Sequence, residues 1–253
     1  MLCFFHGNGE IMKDFADALK AAERDMGGKG IGTLGEKTLH LALKYYFAPD
    51  AETHERPLGG YIADAVTENG VFEIQTHGLS RLKPKLDAFL PLCPVTVVHP
   101  VADPKWVCRA DEYGEVLSRR KSPKHESVYT AMREIYTLRE YLMRPNFRLC
   151  ICTVELTEYS VRQSSRKWQK LDRVPEALHD IRYLQSIADY AELLPDSLAE
   201  QFTVQMLSDA IHAPEMQTRL LIALLMRFGV IEESGRISRC KQWRRCGSGI
   251  IGG

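Results

Sequence analysis

The chain has 253 residues, 45% hydrophobic and 26% charged, with 33 Lys and Arg balanced by 33 Asp and Glu. That length supports one or two domains with a substantial core, and the composition excludes disorder as the default. Zero net charge excludes a protein that coats nucleic acid by bulk charge, while leaving room for a local basic groove. Seven scattered cysteines with no CxxC pair read as buried reduced thiols rather than a zinc site or a disulfide framework. The opening MLCFFHGNGE has no basic region ahead of its short apolar run, so it does not read as a signal peptide. No stretch approaches the roughly 18 apolar residues of a membrane span. A reduced cytoplasmic setting is the expectation.

Residues 9–26 carry apolar side chains at helical spacing, and Gly27-Gly28 ends that helix. Gly30-x-Gly32-x-x-Gly35 matches a dinucleotide fingerprint by letter, but a helix precedes it where a strand is required. Glu36 also stands where a phosphate-binding loop needs lysine. The plainer reading is the entry to a second helix, about 34–46, with Thr33 as N-cap and Glu36 at the capping-box position. Leu39, Ala42, Leu43 and Tyr46 form its buried stripe, and Glu36 and His40, four apart, share another face.

Residues 61–66 and 71–75 are β-rich and flank Glu68-Asn69-Gly70, a strong hairpin signal. Strand alternation places Glu73 and Gln75 on one face and Phe72 and Ile74 on the other, with Asp64 across from the acid. Residues 80–90 form a helix with Leu82, Leu86 and Phe89 on its core face, Arg81, Lys83 and Lys85 near its start, and Pro84 tolerated in the first turn. An acid on one strand facing an acid and an amide on the next is a candidate divalent-metal site.

Asp64 followed by Glu73-Ile74-Gln75 resembles the PD-(D/E)XK nuclease superfamily, with glutamine in place of the triplet lysine. Gly35-Glu36-Lys37-Thr38-Leu39-His40 resembles the first-helix glutamate of that superfamily, and Lys83–Leu90 its post-triplet helix. The resemblance covers about residues 28–110. It implies an α/β, restriction-endonuclease-like mixed sheet flanked by helices, within a domain spanning 1–170. It further implies Mg²⁺ (or Mn²⁺) held by Asp64, Glu73, the Ile74 carbonyl and Glu36. Gln75, an amide unable to act as a base, would orient the attacking water. His40, Lys83 and Lys85 are auxiliary candidates, either lysine being able to stand in for the missing one. The implied activity is a metal-dependent endonuclease cleaving nucleic acid, DNA first. The alternative is a catalytically inactive, nuclease-like DNA-binding or regulatory protein.

Val95–Pro100 reads as a central strand, and 105–121 as a hairpin turning at Glu112-Tyr113-Gly114. Its tail, Arg119, Arg120, Lys121 and Lys124, is either a solvated loop or a phosphate contact. Residues 126–143 read as an amphipathic helix and 147–159 as a strand. Residues 162–170 are a basic surface loop or, around Trp168 with Arg166 and Lys167, a base-stacking site. Residues 171–198 read as a connector. Two helices, 203–211 and 214–228, precede a turn at Ser234-Gly235, and the set resembles a winged helix-turn-helix domain over 199–246. The resemblance implies DNA contact by Gln217, Thr218 and Arg219 on the second helix and by Arg236 on the wing. A homodimer, or docking of a partner through the apolar second helix, is the competing role.

Overall fold

A computed structural model describes residues 14–27, 37–111, 113, 115–164 and 167–246. Two helices come first, α1 (Phe15–Asp25) and α2 (Lys37–Phe47), followed by strands β1 (His54–Leu58), β2 (Tyr61–Thr67) and β3 (Gly70–Ile74). A short helix, α3 (Lys83–Phe89), leads into β4 (Val95–Ala110) and β5 (Val116–Lys121). After α4 (Met132–Ile135) come two 18-residue strands, β6 (Phe147–Ser164) and β7 (Lys167–Leu184). The chain closes with α5 (Ile187–Ala191), β8 (Gln201–Phe202), α6 (Val204–Ala210), α7 (Glu215–Arg227), β9 (Ile231–Ile237) and β10 (Cys240–Arg245).

The main sheet runs β1-β2-β3-β4-β6-β7, with β5 beside the distal half of β4. The pairings of β3 with β4 and of β4 with β6 are parallel and the others antiparallel, giving a mixed α/β sheet. Alternation along the strands feeds two cores. Val71, Val97, Leu149 and Ile151 meet Leu86, Phe89 and Met132 on one face, whereas Phe72, Ile74, Val98 and Cys152 meet α1 and α2 on the other. The sheet is thus flanked by helices, as expected.

Several boundaries differ from the sequence reading. The strand at 95 does not stop at Pro100 but continues to Ala110, paired to β6 almost throughout. The expected loop at 162–170 and connector at 171–198 belong largely to the β6–β7 hairpin, so a boundary at 170 falls inside the sheet. Pro175 and four register shifts break the alternation that would have revealed β7, and an edge strand tolerates a missing N–H donor. The helix expected over 126–143 is short turns around α4, because Thr130 and Thr137 hydroxyls bond back to the carbonyls of Ser127 and Glu134. Residues 28–36, with the glycine motif and Thr33, lie outside the described residues, as do Arg166 and the N-terminal thirteen. Among the described residues, no helix is long and apolar enough to cross a membrane.

The hairpin that carries the acids is pinned at its turn. Gly70 has φ of +104°, and a Cβ there would lie 2.2 Å from the Pro94 carbonyl oxygen, which accepts from Val71 N at 2.8 Å. Gly60 also has positive φ but meets nothing within 4 Å. Gly60→Ala is therefore expected to cost about 1 kcal/mol, the left-handed penalty alone. Gly70→Ala, which adds a backbone clash, is expected to cost roughly 3 kcal/mol or more. Urea denaturation of both variants checks the order; equal losses would contradict the close approach.

Candidate active site at the end of strands β2 and β3

Pairing between β2 and β3 runs from Thr67↔Gly70 to Ala65↔Phe72 and no further. In the fork beyond, side chains replace the backbone ladder. Ile74 N donates to Asp64 Oδ2 at 2.8 Å, and Asp64 N donates to Glu73 Oε1 at 3.3 Å. The two acids predicted to meet are held together by backbone N–H groups of the facing strands, Asp64's own and that of Ile74.

Helices on opposite faces of the sheet each send one side chain here. Leu82, Leu86 and Phe89 anchor α3 and its approach in the core, which turns Lys85 toward the end of β3. Its ammonium lies 2.9 and 3.1 Å from the two oxygens of Glu73. From α2, whose Leu39, Ala42 and Leu43 are buried, His40 Nε2 lies 3.1 Å from Asp64 Oδ2. Lys85 and His40, auxiliary candidates in the sequence, are direct partners of the two acids.

Glu73 is only 2% exposed. Burial and then the charge of Asp64 push its carboxyl up from the ordinary 4.5 to about 7, against the opposing pull of Lys85. Asp64 moves the other way. Burial acts upward on it, but the hydrogen bond and charge of His40, the Ile74 N–H and Lys85 outweigh that and hold it below the ordinary carboxylate range. Adjacent carboxyls pushed apart in this manner give one permanent anion and one group that exchanges a proton near neutrality.

Gln75 does not join them. Its amide donates to the His77 carbonyl at 2.5 Å, within its own loop. Its carbonyl accepts from Nδ1 of buried His99 at 2.7 Å, and its N–H donates to Val98 O at 2.9 Å. A two-residue turn offers the amide a partner closer than the fork, so the expected water-orienting position is corrected. Glu36 lies outside the described residues, and Lys83 is half-buried on α3 with no ion pair among them. Among the described residues, no group of three or more His, Cys, Asp or Glu side chains converges as a metal site.

The expected nucleic-acid contacts divide. Arg119 stacks on Trp106 at 4.2 Å and pairs with Glu176 at 2.9 Å, which neutralises it, whereas Arg120, Lys121 and Lys124 are exposed. On α7 Thr218 is 0% exposed and donates its hydroxyl to the Pro214 carbonyl, so it offers nothing to a groove. Gln217 Oε1 is buried without a partner, and Arg219 is paired to Glu215. The reason is helix phase: Thr218 shares the stripe of Leu221, Leu224 and Leu225, which packs into the main core. Arg236 on β9 is exposed.

The fold is a mixed α/β sheet flanked by helices, with a carboxylate pair at its forked strand ends. Residues 37–185 match the family described as Domain of unknown function (DUF8091), and the chain belongs to that family. An uncharacterised protein of Treponema pallidum (strain Nichols) is 30% identical over 221 residues, covering 85% of this chain and 87% of that protein. No solved structure matches. The matched family region contains His40, Asp64, Glu73 and Lys85, and ends before α5.

The raised carboxyl makes a signed prediction. Because folding favours protonated Glu73, its ionisation weakens the fold. The penalty is absent below about pH 4.5, develops between there and about 7, and is complete above, at about 3 kcal/mol. Glu73→Gln removes this titration, so the stability of the variant relative to wild type is expected to rise by about that amount from pH 4 to 8. Urea denaturation across the range checks it, and a pH-independent difference would contradict the burial of the charge.

Proposed function

We propose that the Asp64–Glu73–Lys85 fork is the catalytic site of a divalent-metal-dependent nuclease that hydrolyses phosphodiester bonds of nucleic acid, DNA first, on a restriction-endonuclease-like sheet. The observation that carries the reading is the Lys85 ammonium on both oxygens of Glu73. The sequence triplet lacks its lysine, and a lysine from the following helix occupies that neighbourhood.

The donor chemistry fits a hard cation. Two carboxylates and the Ile74 carbonyl are the oxygen ligands that Mg²⁺ or Mn²⁺ prefers, with most of its water retained. Burial, and then the charge of Asp64, push Glu73 upward despite Lys85, and a bound cation would offset the repulsion between the two acids. The metal, when bound, would supply a hydroxide near neutral pH and Lewis-acid stabilisation of the phosphoryl oxygens. Asp64, always ionised, and Glu73, after losing its proton, would hold it, with Glu36 a further ligand. Lys85 would turn from Glu73 toward the phosphate and balance charge on the leaving oxygen. His40 holds Asp64 in place. Gln75 positions backbone through His99 and Val98.

A second reading, a non-catalytic DNA-binding or regulatory protein on the same sheet, is favoured by the turning of Gln75 to His77. A winged-helix role for the C-terminal helices, and a homodimer, belong to either reading, with DNA contact through Arg236 and the β9–β10 hairpin.

Cleavage of plasmid and single-stranded DNA in Mg²⁺ and Mn²⁺ separates the readings. Asp64→Asn and Lys85→Met are each expected to lower the rate by about 100-fold or more. Gln75→Ala, whose amide is occupied elsewhere, is expected to stay within about threefold of wild type, a small fraction of a proton-transfer effect. A wild type that binds DNA and cuts nothing in either metal would establish the non-catalytic reading.

A further inference from the structure

Beyond the fork, β4 to β7 carry a second set of charges. Ladder registers put Val107 beside Arg120, Arg109 beside Ser160, Glu158 beside Arg173, Ser160 beside Lys170 and Arg162 beside Trp168. Partners across a ladder share a face, so Arg109, Arg120, Arg162, Lys170 and Arg173 lie on one side of this arm. Trp168 is among them, its ring flanked by the Arg109 guanidinium at 4.7 Å and that of Arg162 at 5.8 Å.

The near end of the face opens into a pocket of about 390 Å³ lined by Lys105, Lys170 and Arg173, with Glu126 and Thr130 also in its wall. Thr76, the residue after Gln75, also lines it, so the pocket begins where the strand of Glu73 ends. The acids and lysines of this wall are engaged, mostly with one another. Glu158 pairs with Lys170 at 3.0 Å, Glu126 with Lys105 at 3.2 Å, and Glu134 accepts from Leu79 N at 2.9 Å. Arg173 is half-buried, and among the described residues its guanidinium makes no hydrogen bond or ion pair. Its charge acts on Glu126 through space without contact, and its planar five-donor fork, bonded to no acid, matches phosphate.

We infer that this face is a binding track for single-stranded nucleic acid, leading to the fork. A phosphate sits in the pocket against Arg173, Lys105 and Lys170 being held by Glu126 and Glu158, and an unpaired base stacks on the Trp168–arginine layer. The inference rests on the nuclease reading of the fork. A single strand is chosen over a duplex because aromatic and guanidinium planes on a sheet engage bases only when these are splayed out. Arg173 and Trp168 are five residues apart on β7, roughly 16 Å of strand, so backbone and base contacts lie along one line.

Fluorescence anisotropy in EDTA, with a fluorescein-labelled oligo-dT and a labelled duplex as probes, tests this without cleavage. The single strand is expected to bind more tightly than the duplex. Arg173→Ala, and separately the exposed pair Arg120→Ala with Arg162→Ala, are each expected to weaken it about tenfold. The slope of log affinity against log salt should become shallower by about 0.7 for each phosphate that a variant no longer neutralises. The exposed pair keeps the test available should Arg173→Ala fail to fold. Duplex binding as tight as the single strand, or unchanged affinity and slope in the variants, overturns the track. A protein that binds single strands through Arg173 yet cuts nothing retains the track and loses the nuclease reading; one that cuts normally in all these variants does the reverse.

Discussion

Glu73 is an ionisable group on a strand buried on both faces, and the local architecture follows from the need to compensate it. Water cannot solvate the carboxylate, so a cation must come from the chain itself. Lys85 meets that need because the apolar phase of α3, set by Leu82, Leu86 and Phe89, fixes which side of the helix faces β3. Asp64 arrives on the other arm of a hairpin whose turn admits only glycine under the Pro94 carbonyl. The backbone therefore forces two acids together beside one ammonium. Burial first, and the charge of Asp64 second, outweigh Lys85 and lift the Glu73 carboxyl to about 7. The site is a place of stored electrostatic cost, as functional sites commonly are.

The zero net charge hides how that charge is distributed. On the distal arm, acids are consumed by local partners: Glu155 by Trp106 and His179, Glu176 by Arg119, Glu158 by Lys170. Asp172, buried, accepts from Thr38 Oγ1 at 2.5 Å and so ties the arm to α2. Among the described residues Arg120, Arg162 and Arg173 have no carboxylate in contact, and they lie on the face that also carries the Glu158–Lys170 pair. Pairing across a long ladder thus gathers arginines that lie far apart in sequence, which net charge alone does not register.

The hairpin, its turn and the facing of Asp64 and Glu73 were legible because Asn-Gly and strict alternation are local signals. The helix after it was legible from its apolar phase, although the same phase only nominated Lys85 alongside Lys83. Strand β7 was not legible. Its register relative to β6 shifts four times, so period-two alternation is lost even though every segment pairs. The arm face was missed for the same reason, since Arg109, Arg162 and Arg173 meet only through that pairing. Gln75 was misplaced because a carbonyl two residues ahead competes for its amide, a contest decided by turn geometry rather than by residue type.

The C-terminal helices argue for one packed body over a separate module. The family region ends before α5, yet Leu221, Leu224 and Leu225 of α7 share a core with Met132, Ile135 and Leu138 and with β6. Phe202, Leu207 and Trp243 belong to the same core. Without α6 and α7 those residues of the main domain would face water, so the apolarity of α7 is accounted for inside the chain. A helix spent in this way cannot also present Thr218 to a groove. Basic side chains without an acid partner in this segment lie on and beside the β9–β10 hairpin, where Arg236 and Arg239 are exposed while Lys241 and Arg244 are paired to Glu233 and Glu232; the exposed face of α7 carries Met216 and Met226. Contact of the C-terminal segment with phosphates therefore falls to that hairpin rather than to Thr218 and the paired Arg219 of the second helix.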